Sequence, residues 1–233
     1  TYTPQKGFEI LKGPVFANFL IADEINRGSP KTQSALLEAM QERQVTIGKE
    51  SFKLPNPFFV MATKNPIESS GVYMLPEAQI DRFLFNILMG YPDYDDEKII
   101  MEDNITLNKF EEYKLKGVTS PEEIIKIQNL VKGVYLSEPI KSYILAIINK
   151  TRDKKFQYAD CISHGSSPRA SIAVFIASKA KALMEGRNFV LPEDVREVVF
   201  DILRHRLILN YQAVIKNLTV DDIIKFILEE VNV

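Results

Sequence analysis

The chain has 233 residues, of which 45% are hydrophobic and 26% charged, a globular composition that excludes a disordered chain. Its 29 basic and 31 acidic residues leave a net charge of −2, which argues against a broad nucleic-acid footprint. One cysteine, Cys161, rules out an intrachain disulfide and a cysteine-built zinc site, and fits a reducing, cytoplasmic compartment.

The length predicts one large domain or two small ones, able to bury roughly 70–75% of the unfolded surface. No apolar run is long enough for a transmembrane helix. The first residue is Thr1, with no signal-peptide pattern behind it, so the chain is expected to be a piece of a longer protein.

Asn18 to Ala22 is a short apolar run that predicts a fully buried strand. Ser29 and Pro30 then predict a helix, with Ser29 as N-cap and Ala35, Leu36, Ala39 and Met40 as its apolar face. Gln44 to Ile47 and Ser51 to Leu54 flank Gly48-Lys49-Glu50 and predict a hairpin. Phe58 to Ala62 predicts a second buried strand, Pro76 to Phe83 a short helix, and Leu84 to Met89 a third strand. Continuous apolar strands alternating with helices imply a parallel sheet covered on both faces.

The remainder has helical periodicity over Asp93 to Ile105, Leu136 to Thr151, Pro168 to Glu185, Pro192 to Leu207 and Val220 to Val231. Ser120-Pro121-Glu122-Glu123 has capping-box spacing ahead of another helix, and polar Asn104 to Thr119 predicts a linker. The organisation is an α/β part, a linker and an all-helical part.

Phe19-Leu20-Ile21-Ala22-Asp23-Glu24 is four apolar residues followed by two acids, a Walker-B pattern. A buried strand delivers such a pair to the carboxyl edge of the sheet, where open α/β sheets bind ligands. Asp23 would hold Mg²⁺ through water and Glu24 would polarise the water attacking a γ-phosphate. The alternative is a plain acidic strand end.

Asn65 ends the neighbouring strand and offers an amide to the γ-phosphate or its water; the alternative is an Asn-Pro turn. Arg82 precedes the third predicted strand and offers an arginine finger to a neighbouring subunit; the alternative is an ion pair with Asp81 or Glu77. Arg169 stands in the first turn of a helix, where a cation opposes the dipole unless an anion lies near. His205 sits at a helix end, where a cation suits the dipole, and neither it, His164 nor Cys161 is assigned chemistry.

The run Gly13 to Ile47, together with ATKNPIE at 62–68, LPEAQIDRF at 75–83, GYP at 90–92, SPRAS at 167–171 and HRLILN at 205–210, closely resembles the MoxR family of AAA+ ATPases. The likeness covers nearly the whole chain. It implies an α/β fold: a truncated AAA+ core with a mostly parallel sheet (1–92), a connecting helix and linker (93–119), and an all-α helical lid (120–233). It also implies roles residue by residue. Asp23 and Glu24 match the Walker-B pair, Asn65 matches sensor 1, Arg82 the arginine finger and Arg169 sensor 2. Thr1 to Phe16 would be the tail of the helix-2 insert, and Gln44 to Leu54 the pre-sensor-1 hairpin.

Family members are ring-forming, chaperone-like ATPases that use ATP and Mg²⁺. They work on protein clients, often with von Willebrand factor A-domain partners, and are related to the magnesium-chelatase ATPase subunit.

One family element is missing from the sequence. A P-loop needs G-x-x-x-x-G-K-[ST], yet no two glycines here are five apart, and Gly48-Lys49 lies downstream of the acidic pair. The chain by itself is therefore expected neither to bind nor to hydrolyse ATP appreciably. The competing readings are a pseudo-ATPase acting as an interaction module, and a nucleic-acid motor, for which the short basic run Lys150 to Lys155 also reads as a solvated helix end.

Overall fold

The computed structural model describes residues 2–3, 7–8, 12–65, 73–105 and 115–232. Two minimal strands, β1 (Tyr2–Thr3) and β2 (Gly7–Phe8), pair antiparallel at the start. Then come β3 (Phe19–Ala22), α1 (Pro30–Glu42), the hairpin β4 (Gln44–Ile47) and β5 (Glu50–Lys53), and β6 (Phe59–Ala62). α2 (Glu77–Ile80) and α3 (Tyr94–Ile105) follow. The helical part holds α4 (Pro121–Gly133), α5 (Glu138–Lys150), β7 (Ile162–His164), α6 (Pro168–Met184), α7 (Pro192–Leu203), β8 (Ile208–Leu209), α8 (Tyr211–Ile215) and α9 (Val220–Glu230).

β3 and β6 are parallel neighbours in register Phe19↔Phe59 to Ala22↔Ala62, which bears out the parallel α/β reading. They are not fully buried. Strand side chains alternate between faces: Leu20, Ala22, Val60 and Ala62 turn inward, Leu20 and Val60 packing onto a small core of Ala39, Leu54 and Phe58. Phe19, Ile21, Phe59 and Met61 face the other way and are all more than half exposed, with the Phe19 and Phe59 rings 5.7 Å apart. The expectation of a sheet covered on both faces is thereby corrected: among the described residues, α1 and the hairpin cover one face.

α1 begins as expected. Ser29 accepts from the Thr32 backbone N–H and Pro30 fills the first helical position, where its missing N–H costs nothing. Its inward residues are Gln33, Leu37 and Ala39 rather than Ala35, which is exposed. Gln33 is drawn in because its amide donates to the carbonyls of Ile25 (3.1 Å) and Tyr73 (3.0 Å). The hairpin turns at Gly48, whose φ of +65° a residue without a Cβ adopts free of strain.

Leu84 to Met89 does not form the expected strand. Its backbone groups are taken instead by the helical part: the Asn86 N–H donates to Asp201 (2.7 Å), and the Leu84 and Asn86 carbonyls accept from Arg206 and Arg204. Of the expected linker, residues 106–114 lie outside the described residues. Asn104 and Ile105 close α3.

The helical part has the larger core. Ile144, Ile147, Val174, Val195, Val199, Leu203 and Ile224 belong to one buried cluster drawn from α5, α6, α7 and α9. Capping boxes at Ser120/Glu123 and Thr219/Asp222 satisfy the first turns of α4 and α9. Among the described residues, no helix is long and apolar enough to cross a membrane.

Candidate functional site

The acidic pair stands where the parallel ladder ends. Beyond Ala22↔Ala62, the Thr63 N–H donates to Ala22 (3.0 Å) and the Ile25 N–H donates to Thr63 (3.0 Å), so the two chains stay zipped past the strands. This zipping brings Thr63 beside the acids. Its hydroxyl donates to the Asp23 carboxylate and accepts from the Glu24 N–H at 2.9 Å. The Thr63 hydroxyl thus holds the spacing of both residues, a role that the sequence reading missed although the run Ala62-Thr63-Lys64-Asn65 was in view.

Glu24 itself adopts a left-handed backbone, φ 47° and ψ 53°. That conformation crowds a residue with a Cβ, and such strain concentrates at functional sites. Its carboxylate pairs with Arg27 at 3.0 Å, with both side chains well exposed, so the contact is weak and easily exchanged.

Asn65 lies on the same edge. The Asn26 amide donates to its carbonyl at 3.4 Å, tying the turn after β3 to the end of β6. A recess of about 140 Å³ opens here, lined by Asp23, Glu24, Gly28, Thr32, Gln33 and Leu36 among others. The structure therefore gathers Asp23, Glu24 and Asn65 at one sheet edge.

Arg82 is elsewhere. Its guanidinium donates to Gln41 near the end of α1, and not to Asp81 or Glu77. The recess borders α1 at Thr32 to Leu36, and at 1.5 Å per residue Gln41 lies about 14 Å from Thr32 along the helix. The finger candidate thus sits toward the opposite end of α1 from the acidic pair.

Arg169 meets the anion that its place on a helix N-terminus demands, and that anion is Asp81. The Asp81 carboxylate accepts from Arg206 Nε (2.8 Å), Ser167 Oγ (2.9 Å) and Arg169 Nη1 (3.3 Å). Burial pulls the Asp81 carboxyl upward, but the hydrogen bonds from Ser167, Arg206 and Arg169 outweigh it and hold its pKa below the ordinary value. Arg206 is buried and uses its whole donor fork. Beyond Asp81 Oδ1 it donates to the carbonyls of Leu84 (3.1 Å), Ile202 (2.6 Å), Asp81 (3.1 Å) and Phe83. His205 beside it faces the Phe83 carbonyl at 3.0 Å, which makes Nε2 the donor. Burial, reinforced by the Arg206 charge, pushes the ring pKa down to about 4. The ring is thus held neutral and does not serve the helix dipole as a cation. Arg204, His205 and Arg206 together latch the helical part onto residues 81–86.

Comparison with known proteins gives these residues a context. Residues 2–85 match the family described as ATPase family associated with various cellular activities (AAA), and residues 157–227 match the AAA lid domain. Chaperone MoxR1 of Mycobacterium tuberculosis is 42% identical over 229 residues, covering 96% of this chain and 59% of that protein. The uncharacterized protein YeaC of Bacillus subtilis is 42% identical over 226 residues, covering 97% of this chain and 68% of the relative.

The chain belongs to the MoxR family of AAA+ ATPases.

A crystal structure from Cytophaga hutchinsonii, of a protein assigned as an ATPase, superposes with a TM-score of 0.91 at 43% identity, covering all of this chain and 71% of that one. The MoxR-family chain thus spans roughly three fifths to seven tenths of the relatives it matches.

Within the described residues, the donor set suits Mg²⁺. Asp23 offers an exposed carboxylate, and a single carboxylate with waters and phosphates is how this ion is commonly held. No cluster of three or more metal-ligating side chains exists among the described residues. The ion's remaining ligands would thus be phosphates and water.

Proposed function

We propose that the chain supplies the hydrolytic edge and the lid of a ring-forming MoxR-type ATPase that remodels or matures protein clients in the cytoplasm. The observation that carries this reading is the join of Asp23, Glu24 and Asn65 at one sheet edge, with Thr63 bridging the acids. Asp23 would hold Mg²⁺, whose charge offsets that developing on the phosphates of ATP. Glu24 accepts the proton of the attacking water once Arg27 has let go of its carboxylate. The Asn65 side chain orients that water or the γ-phosphate.

Arg82 acts in a neighbouring subunit. Its distance from the acidic pair along α1 supports action in trans, and a head-to-tail contact of this kind closes into a ring. Arg169 reads phosphate from the lid. Residues 1–92 form the core portion, 93–119 the connection and 120–233 the lid. Von Willebrand factor A-domain proteins are the partner class this family assignment favours.

The phosphate cradle is not among these 233 residues, since they hold no G-x-x-x-x-G-K-[ST]. The chain alone therefore binds a fluorescent ATP analogue only weakly, and micromolar affinity in the presence of Mg²⁺ overturns that claim. In the whole gene product, Glu24→Gln retains nucleotide binding and abolishes turnover. Unchanged steady-state hydrolysis removes Glu24 from the role of base.

A further inference from the structure

Two arginines share the Asp81 carboxylate, and they are held very differently. Arg206 takes Oδ1 at 2.8 Å with its side chain 3% exposed, and the rest of its guanidinium is fixed on four carbonyls. Arg169 takes Oδ2 at 3.3 Å with its side chain 51% exposed, and among the described residues its guanidinium donates to Asp81 alone. Oδ2 is also occupied by the Ser167 hydroxyl at 2.9 Å. If Arg169 leaves, Asp81 is still neutralised by Arg206 and still hydrogen-bonded by Ser167. If Arg206 leaves, several carbonyls lose their donor.

We propose that Asp81 is a positioning residue that parks Arg169 and yields it to a polyphosphate, while Arg206 keeps the lid latched throughout. The proposal rests on reading Arg169 as a phosphate-binding residue. Its physical basis is the unequal grip. A single long hydrogen bond from a half-exposed arginine holds its partner by only a few-fold in binding terms, and the concentrated charge of a polyphosphate exceeds that of one carboxylate. Arg169 can therefore change partners without unlatching the lid. Asp81 also directly precedes Arg82, so the carboxylate that gives up the lid arginine lies one residue from the finger candidate.

The test uses the 233-residue chain with ¹⁵N-labelled arginine and inorganic tripolyphosphate as the probe. The Nε–H signals are assigned with Arg169→Lys and Arg206→Lys. On titration the Arg169 signal moves and the Arg206 signal does not. Asp81→Asn binds tripolyphosphate at Arg169 about three-fold more tightly, the gain expected from removing the carboxylate that competes for a half-exposed arginine. Asp160→Asn, which removes the same charge from the exposed Lys216 pair, leaves the affinity unchanged. A merely structural Asp81 gives no gain.

An unresponsive Arg169 signal, an Arg206 signal that moves with it, or an Asp81→Asn chain that binds no tighter overturns the proposal. Should Asp81→Asn fail to fold, the two wild-type signals decide. Turnover of the whole gene product tests the ATPase reading separately, so that reading can stand where this one fails.

Discussion

Replacing Arg206 by Met keeps the unbranched stem and removes every donor of the latch. Arg206 makes five hydrogen bonds, one to the Asp81 carboxylate and four to the carbonyls of Asp81, Phe83, Leu84 and Ile202. Removing one partner of a buried ion pair costs about 3–5 kcal/mol, mostly as the desolvation of the charge left behind. Asp81 is not stranded outright, because Ser167 and Arg169 remain and its side chain is 16% exposed. The carbonyls of Asp81, Leu84 and Ile202 add to the cost, each losing a hydrogen bond from a charged donor, while Phe83 keeps His205. The sum is about 3 kcal/mol, toward the lower end of that range.

Amide hydrogen exchange reads the loss where it occurs. The Asn86 N–H, held by the Asp201 carbonyl at 2.7 Å, should lose protection by roughly two orders of magnitude, because 1.4 kcal/mol is tenfold. The amide of Val199, in the buried core of the helical part, should change far less. Equal loss at both positions, or no loss at Asn86, refutes the latch as a local device.

Acid should loosen the same contact. The His205 ring has its pKa lowered to about 4 in the folded chain from an ordinary 6.5, so the unfolded chain binds more protons between those values. Its contribution is complete above about pH 6.5 and declines as pH falls toward 4, by roughly 3 kcal/mol at most. Urea midpoints taken from pH 7 to pH 4.5 should show the decline, and His205→Asn should flatten it. Gly165→Ala should destabilise the loop ahead of Arg169 by about 1–3 kcal/mol, since a Cβ there meets the Thr151 carbonyl oxygen at 2.5 Å. A thermal midpoint equal to wild type counts against that packing. Ile224→Ala, at a fully buried position on α9, should cost about 2–5 kcal/mol in chemical denaturation. A cost under 1 kcal/mol means that the core refills.

Much of this was legible in the sequence because the signals are local. Ser29-Pro30, Ser120-Pro121-Glu122-Glu123 and the Gly48 turn announce themselves through the few backbone groups they satisfy, and the structure places each where the reading did. The parallel pairing of β3 and β6 followed from their unbroken apolar character. Their burial did not, because an apolar run records what a strand can pack against and not what covers it. Leu84 to Met89 reads as a strand by the same propensity, yet its backbone is claimed by Arg204, Arg206 and Asp201 from more than 100 residues away. The Asp81 cluster escaped for the same reason. Nothing near Asp81 in sequence marks it as the meeting point of Ser167, Arg169 and Arg206. At the site, the positions of Asp23, Glu24 and Asn65 were anticipated from the ends of two strands. The Thr63 bridge was not, because it depends on register.

The left-handed backbone at Glu24 sets stability against activity at a single residue. Glycine accepts that conformation with no steric penalty, so Glu24→Gly relieves a strain of about 1–2 kcal/mol while deleting the carboxylate proposed as the base. Selection of this protein for heat resistance alone would therefore favour an inert edge. Screens for hardier variants should score turnover alongside melting temperature, because at this position the two measurements are expected to move in opposite directions.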